Sequence, residues 1–310
     1  MTSAPPILAI GGPTATGKTV LAVEVARRID GELVNADSRQ VLRRLTAGTA
    51  APTAAELRGI RCHLLAVCEP GEPFTAAQWL ISAREVIARL GARGVPAVLV
   101  GGTGQYIRAL REGWDFGRTA PRPLERDTLT AAAATPAGMA ILVAELRARD
   151  AVGAATLDLA NPRRVVRAVE VLRSGDGSLA ERRRRTGGSA VTLVVLDAER
   201  GLHQQVLEAR IQRMFGGGAI LDEVRAELAR GTAPSALARA GIGYREAVAV
   251  LGGDMTVADA AASALRRTRR YVKAQRTWFR HEPAALRLER TAATDTRELA
   301  SEVLAVVPSG

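Results

Sequence analysis

The chain has 310 residues, 47% of them hydrophobic and 24% charged, and a formal net charge of +11. That length holds one large domain or a core with a smaller insert, and the composition is that of a soluble globular protein. No apolar run is long enough to span a membrane, residues 1–6 lack the pattern of a signal peptide, and Cys62, Cys68, His63, His203 and His281 have no zinc or redox spacing. A cytoplasmic, monomeric protein with no membrane partner is the expectation.

Pro6 to Ile10 is a short apolar run that leads directly into Gly12-Pro13-Thr14-Ala15-Thr16-Gly17-Lys18-Thr19. The spacing of Val20, Leu21, Val23, Val25, Ala26 and Ile29 then predicts a helix over Thr19–Ile29, stopped at Asp30-Gly31. Strand, glycine-rich loop and helix in that order are the context in which GxxxxGK[ST] is a phosphate cradle. Backbone N–H groups of the loop and the helix start face the phosphates. Lys18 reaches the terminal phosphate, and the Thr19 hydroxyl is placed for Mg²⁺.

Glu32 to Ala36 reads as a second strand, ending in Asp37-Ser38-Arg39-Gln40. A helix is predicted over Phe74–Leu90, and a third strand over Ala97–Val100 ends in Gly101-Gly102-Thr103-Gly104. Alternating strands and helices imply a three-layer α/β fold, a parallel sheet between two layers of helices. Ligands in such sheets bind beyond the carboxyl ends of the strands, which directs attention to Asp37 and Thr103. A carboxylate at Asp37 could take a proton from a nucleophile, or could simply cap a helix.

From Arg118 the pattern changes to a proline-rich polar stretch and then to alanine-rich helix over 131–155. No further strand-like run appears until Val191–Leu196, closed by Asp197. The economical organisation is a P-loop core, 1–117 and 190–310, interrupted by a helical insertion domain at 118–189. Arg182 to Arg185, with Gly187-Gly188, reads as an exposed loop on the insert. Thr256 opens the last long helix, with Asp259 at the capping-box position. Leu265, Thr268, Val272, Gln275 and Phe279 form one stripe on it, beside a basic stripe of Arg266, Arg269, Lys273, Arg276 and Arg280. No acid lies between Asp259 and Glu282 to pair with that stripe along the helix, so the basic face calls for an external anion.

The positive charge is local. Residues 163–185 hold eight arginines against three acids, a net +5, and residues 266–290 hold nine basic residues against two acids, a net +7. Charge concentrated in this way suggests a polyanion partner. Only Lys18 and Lys273 are lysines among 43 basic residues. Lys18 has its explanation in the P-loop, and by the same logic Lys273 is a candidate functional residue on the basic helix.

A P-loop specifies phosphate without specifying the reaction. A kinase or NTPase would need a magnesium-binding acid at a core strand end, a place Asp197 could fill. Alternatively, diphosphate leaves from a carbon centre. In family order, the chain carries the P-loop, Asp37-Ser38-Arg39-Gln40, Gly48-Thr49-Ala50, Glu72-Pro73-Phe74 and Gly101-Gly102-Thr103-Gly104-Gln105-Tyr106. Asn161-Pro162-Arg163-Arg164-Val165-Val166-Arg167-Ala168, Gly243-Tyr244-Arg245-Glu246 and Arg267-Thr268-Arg269-Arg270-Tyr271 through Trp278-Phe279-Arg280 follow. In these stretches the sequence resembles the tRNA dimethylallyltransferases (tRNA isopentenyltransferases).

The resemblance implies transfer of a dimethylallyl group from dimethylallyl diphosphate to N6 of adenosine 37, beside the anticodon of tRNAs that read codons beginning with U. It implies a P-loop that holds the donor's diphosphate with Mg²⁺ through Thr19, Asp37 as general base, and Thr103 at the reaction centre. Ser38, Arg39, Gln40, Arg126, Arg163, Arg164, Val165, Val166 and Arg167, with Asp37 and Thr103, match positions that contact tRNA. Leu42, Ala51, Cys62, Ala66 and the Gly216-Gly217-Gly218 region depart from the family's usual pattern. Two other readings stay open: a relative that prenylates free adenine nucleotide, and a P-loop kinase or NTPase with an RNA-binding helix.

Overall fold

The computed structural model describes residues 5–114, 116, 123–175, 179 and 187–307. The Arg182–Arg185 loop and the first part of the polar stretch, residues 118–122, lie outside the described residues. The chain forms two compact units, 1–111 with 189–310 and 112–188. The second unit therefore begins at 112, not at the 118 where the composition shifts.

The first unit is built on β1 (Ile7–Gly11), β2 (Glu32–Asn35), β3 (Cys62–His63), β4 (Ala97–Gly101), β5 (Val191–Ala198) and β6 (Leu286–Arg290). They form one parallel sheet in the order β3-β2-β4-β1-β5-β6. The central strands are continuous apolar runs because helices cover both faces of the sheet. Leu8, Ile10, Val98, Val100, Val194 and Leu196 are buried together with Leu21 and Val25 of α1 (Lys18–Arg28). α14 (Thr296–Ala305) packs on α1 through Leu299, Ala300 and Val303. The short α2 (Ala54–Leu57) precedes β3, α3 (Ala76–Ala92) starts two residues later than the expected helix because Thr75 and Gln78 form a reciprocal capping box, and α4 (Gly104–Glu112) follows β4.

The two edge strands escaped the sequence reading. β3 has only two residues, and β6 alternates apolar and charged side chains as an edge strand does. After β5 come α9 (Arg200–Gly216), α10 (Ala219–Ala229), α11 (Pro234–Ala240), α12 (Tyr244–Leu251) and α13 (Val257–Arg280). Ile211, Met214, Phe215, Val224, Leu237 and Tyr244 give these helices a core of their own. The 24 residues of α13 follow the N-cap Thr256, whose hydroxyl accepts the Asp259 N–H, and bury Thr268, Val272, Gln275 and Phe279. The apolar stripe read from the sequence is thus the packed face.

The second unit contains α5 (Pro123–Ala133), α6 (Pro136–Arg149), α7 (Ala151–Ala155) and α8 (Pro162–Arg173) around Leu129, Leu142, Leu146, Val165 and Val169. The alanine-rich segment is several helices and not one. Thr135 caps α6 ahead of Pro136, and Asp150 caps α7, so each break has a local side-chain cause.

Candidate active site

The P-loop runs from the end of β1 into α1. Gly12 has φ 141°, and a Cβ there would lie 2.1 Å from the Leu196 carbonyl oxygen, so β5 leaves room only for glycine. Ala15 (φ 64°) and Gly17 (φ 95°) are both left-handed, which turns the loop back towards its own helix. The Thr16 hydroxyl donates to the Pro13 carbonyl at 3.1 Å, and the Lys18 ammonium donates to the same oxygen. Lys18 is buried, 8% exposed. Burial lowers its pKa to about 8, with the charge of Asp37 opposing that shift, Arg210 adding to it and Asp197 opposing it. A desolvated ammonium held on a carbonyl is a cation prepared to exchange that oxygen for a phosphate.

Asp37 and Thr103 follow β2 and β4, two neighbouring strands of the same sheet. Asp37 caps no helix: its Oδ1 accepts the Arg39 N–H at 2.9 Å in a tight turn, and its own N–H donates to Asn35 Oδ1. The Thr103 hydroxyl accepts the Ser38 N–H at 2.9 Å and lies 3.3 Å from the Ser38 hydroxyl, while the Thr103 N–H donates to the Ala36 carbonyl. A Cβ at Gly101 would meet the Ala36 carbonyl group at 2.2 Å, so glycine permits this stitching of the two strand ends. Asp37 and Thr103 are thereby held one residue apart across the β2–β4 gap. Arg39 reaches the Arg239 carbonyl, and the Gln40 amide donates to the Ala50 carbonyl at 2.9 Å.

Four partners of these loops were not legible as site residues. The Arg210 guanidinium, on α9, donates to the Thr14 hydroxyl at 3.0 Å and to the Gly48 carbonyl at 2.7 Å. Burial lowers its pKa and the Asp37 charge opposes that shift, so guanidinium and carboxylate share one site. Gln275 accepts the Thr14 N–H at 2.9 Å and donates to the Gly102 carbonyl at 2.9 Å. His203 Nε2 lies 2.8 Å from the Thr14 carbonyl, and its Nδ1 lies 2.9 Å from Arg276 Nη2. Arg276 also binds both Asp197 oxygens at 3.0 Å. The strand-end acid that a magnesium-dependent NTPase would use is here the anchor of an arginine. Among these, Gln275 left a signal as a polar residue inside an apolar stripe and Arg276 as a member of the basic stripe, whereas Arg210 and His203 left none.

The basic stripe of α13 is divided. Its Arg269 pairs with Glu208 and its Arg276 with Asp197, and Arg267 beside the stripe pairs with Glu246, all acids supplied by other elements where the sequence offered none along the helix. Lys273 is exposed and, with Arg200 and Arg280, rims a groove of about 530 Å³ between α9 and α13 whose floor includes His203. In the helical unit Arg126 and Arg167 both bind Glu170, and Arg164 pairs with Asp158. Arg126, Arg163 and Arg167 border an open cavity of about 1010 Å³ at the start of α8. Val165 and Val166, expected among the nucleic-acid contacts, are 0% and 6% exposed because they face the core of their own unit. The Val165 side chain is enclosed, while Val166 also lines that open cavity.

The positions that depart from the family pattern are structurally quiet. Leu42 bridges to Cys68, Ala51 donates to the Thr49 hydroxyl, Cys62 lies on the edge strand, and Ala66 donates to the Gln40 carbonyl. Cys62 and Cys68 are free thiols. Among the described residues no helix is long and apolar enough on its own to cross a membrane.

A family model described as IPP transferase matches residues 40–282, and one described as isopentenyl transferase matches residues 5–72. The tRNA dimethylallyltransferase of Roseiflexus castenholzii is 39% identical over 279 residues, 90% of each chain. That of Desulforudis audaxviator is 40% identical over 286 residues, 91% of each chain. The crystal structure of the tRNA isopentenylpyrophosphate transferase from Bacillus halodurans superposes with a TM-score of 0.68 at 30% identity, over 97% of this chain and 96% of that one. A eukaryotic dimethylallyltransferase acting on tRNA shares the fold with a TM-score of 0.74 at 22% identity, over 89% of this chain and 70% of that one. The matching models cover most of the chain and the relatives match it nearly end to end, so the protein belongs to the IPP transferase family, the tRNA dimethylallyltransferases.

Proposed function

We propose that the protein transfers a dimethylallyl group from dimethylallyl diphosphate to N6 of adenosine 37 in tRNAs that read codons beginning with U, releasing diphosphate. The observation that carries this reading is the meeting of a P-loop with a carboxylate and a hydroxyl at the ends of adjacent parallel strands. The donor's diphosphate sits on the loop amides, with Lys18 and Arg210 as its cations. In the transfer, a bond forms between N6 and the allylic carbon while the carbon–oxygen bond to diphosphate breaks, and the electron pair leaves with the diphosphate. Asp37 takes the proton released by the amine. Lys18 and Arg210 stabilise the charge that grows on the leaving group. The Thr103 hydroxyl, oriented by the Ser38 amide, would meet the bridging oxygen or the amine.

Adenosine 37 has to leave its stack to reach Asp37, as any base modified at an exocyclic amine does. The exposed cations, Lys273, Arg200 and Arg280 on the core and Arg163 on the helical unit, would hold the anticodon stem-loop through its phosphates. Among the described residues no three acids or histidines come together as a metal cage. The donor set at the P-loop, the Thr19 hydroxyl with substrate phosphate oxygens and water, suits Mg²⁺, which takes few protein ligands. When bound, the ion would neutralise part of the departing diphosphate's charge.

The test is incubation with Mg²⁺, labelled dimethylallyl diphosphate and either tRNA or AMP. Label should enter tRNA and not AMP. Label in AMP would reassign the acceptor to a free nucleotide, and RNA-stimulated ATP hydrolysis without prenyl transfer would replace the reading by an NTPase.

A further inference from the structure

We propose that His203 and Gln275 are positioning residues that fix both peptide groups of Thr14 and so give the P-loop its diphosphate-binding shape. The inference rests on the donor-site reading above. Both backbone polar groups of Thr14 are taken by side chains from distant elements: Gln275 accepts its N–H, and His203 lies against its carbonyl. His203 is 2% exposed and Gln275 is 5% exposed. Arg276 can only donate, so Nδ1 of His203 must offer a lone pair and the ring hydrogen must be on Nε2, aimed at the Thr14 carbonyl. Arg276 is in turn fixed by both oxygens of Asp197 and by the Ala198 carbonyl. The chain Asp197–Arg276–His203 thus ends on one carbonyl of the phosphate loop.

Three consequences follow from this geometry. With the Thr14 N–H already taken by Gln275, that amide is not open to an anion. Ala15 itself is left-handed, a conformation that is strained for an alanine and has to be held by its surroundings. The braced peptides of Thr14 immediately precede it. Gln275 does more than His203, because its amide also binds the Gly102 carbonyl, next to Thr103. One side chain therefore joins the loop that holds the donor to the loop that carries the Thr103 hydroxyl, whereas His203 acts on the donor loop alone.

The two residues should therefore fail differently. His203→Phe keeps the volume but leaves the Thr14 carbonyl without its donor. It should weaken binding of inorganic diphosphate with Mg²⁺ by about tenfold or more, the scale of one lost buried hydrogen bond, while anticodon stem-loop affinity stays at the wild-type value. His203→Gln, which restores an amide N–H near the Nε2 position, should recover most of that loss. Gln275→Met should raise the donor KM and also lower kcat. Unchanged diphosphate affinity in His203→Phe, an equal loss of stem-loop affinity, or a His203→Gln variant as defective as His203→Phe would each overturn the proposal. If thermal unfolding shows that His203→Phe does not fold, Gln275→Met decides: wild-type KM and kcat would overturn it. Inorganic diphosphate carries no prenyl group, so its binding tests the brace separately. Failure of the wild-type protein to prenylate tRNA would instead refute the functional reading.

Discussion

The ends of the core strands and the four-helix unit are both rich in arginine, but they use it in opposite ways. In the helical unit the guanidinium groups mostly meet carboxylates: Arg126 and Arg167 hold Glu170, Arg164 holds Asp158, and Arg173 holds Glu145. Around the P-loop, Lys18 and Arg210 meet backbone oxygens and a hydroxyl, while Arg276 at the end of β5 is held by Asp197. Lys18 donates to Pro13, and Arg210 donates to Thr14 and Gly48. The first arrangement satisfies charge inside the unit, and the second leaves it available to an arriving anion. A net charge counted along the sequence does not distinguish the two.

The comparison is tested most severely at Asp37, the acid that shares the site of Lys18 and Arg210 without forming a close ion pair with either. Asp37→Ala removes the proposed base, and kcat should fall by about 10²–10⁴ while stem-loop affinity is retained. A nearly normal single-turnover rate would remove Asp37 from the mechanism. Arg210→Ala comes next. It deletes a cation aimed at the leaving group, so kcat/KM for the donor should fall by about 10²–10³. An equal loss of affinity for the stem-loop and for inorganic diphosphate would show that Arg210 merely supports the fold.

These two residues also mark how far the sequence could be read. Asp37, Thr103 and the P-loop each lie within a few residues of an apolar strand, and β1, β2 and β4 are legible because buried parallel strands are continuous apolar runs. Arg210, His203 and Arg276 have no such local mark. Each lies on a helix, and each meets the P-loop, or another member of the network that braces it, only through contacts between residues far apart in the chain. The basic stripe of α13 misled for the same reason: Glu208 and Asp197, which pair with two of its arginines, belong to other elements and are invisible to an i,i+4 rule. Val165 and Val166 show the reverse error, since matching a functional stretch carried two core residues along with its arginines.

The pH dependence of donor binding distinguishes the regions again. Lys18 titrates at about 8 in the unliganded protein, because its burial outweighs the neighbouring acids. The diphosphate binds the protonated form and raises that pKa, so affinity is complete below pH 8. Above pH 8 it falls, by up to about tenfold per unit, until the pKa of the complex is reached. Inorganic diphosphate binding measured between pH 7 and 9.5 should show this slope, and Lys18→Arg should abolish it. A flat wild-type profile would mean that Lys18 is not a ligand of the anion. Stem-loop affinity, which depends on exposed guanidinium groups, should not change over the same interval.

In the helical unit Glu170→Gln is the corresponding perturbation. It frees Arg126 and Arg167 from a carboxylate only 5% exposed, and because both guanidinium groups are partly solvated the cost in stability should be about 1–2 kcal/mol. The freed charges should strengthen stem-loop binding at low salt. A substitution that destabilises the unit and leaves the salt dependence unchanged would show that those arginines never face the RNA.

The smallest effect is expected at Lys273, the other lysine the chain retains. It is exposed on the groove rim beside Arg280, and it belongs to the class of cations without an acidic partner among the described residues. If it holds one phosphate, Lys273→Ala should weaken all tRNAs alike and reduce the slope of log affinity on log salt by about 0.7–0.9. Lys273→Arg should restore that slope, since either head group neutralises a phosphate. Should Lys273→Arg restore the slope but not the turnover, the lysine would be doing something that depends on its compact ammonium and flexible stem, as Lys18 does. Should neither substitution change the slope, the scarcity that singled out Lys273 in the sequence would reflect nucleotide composition alone.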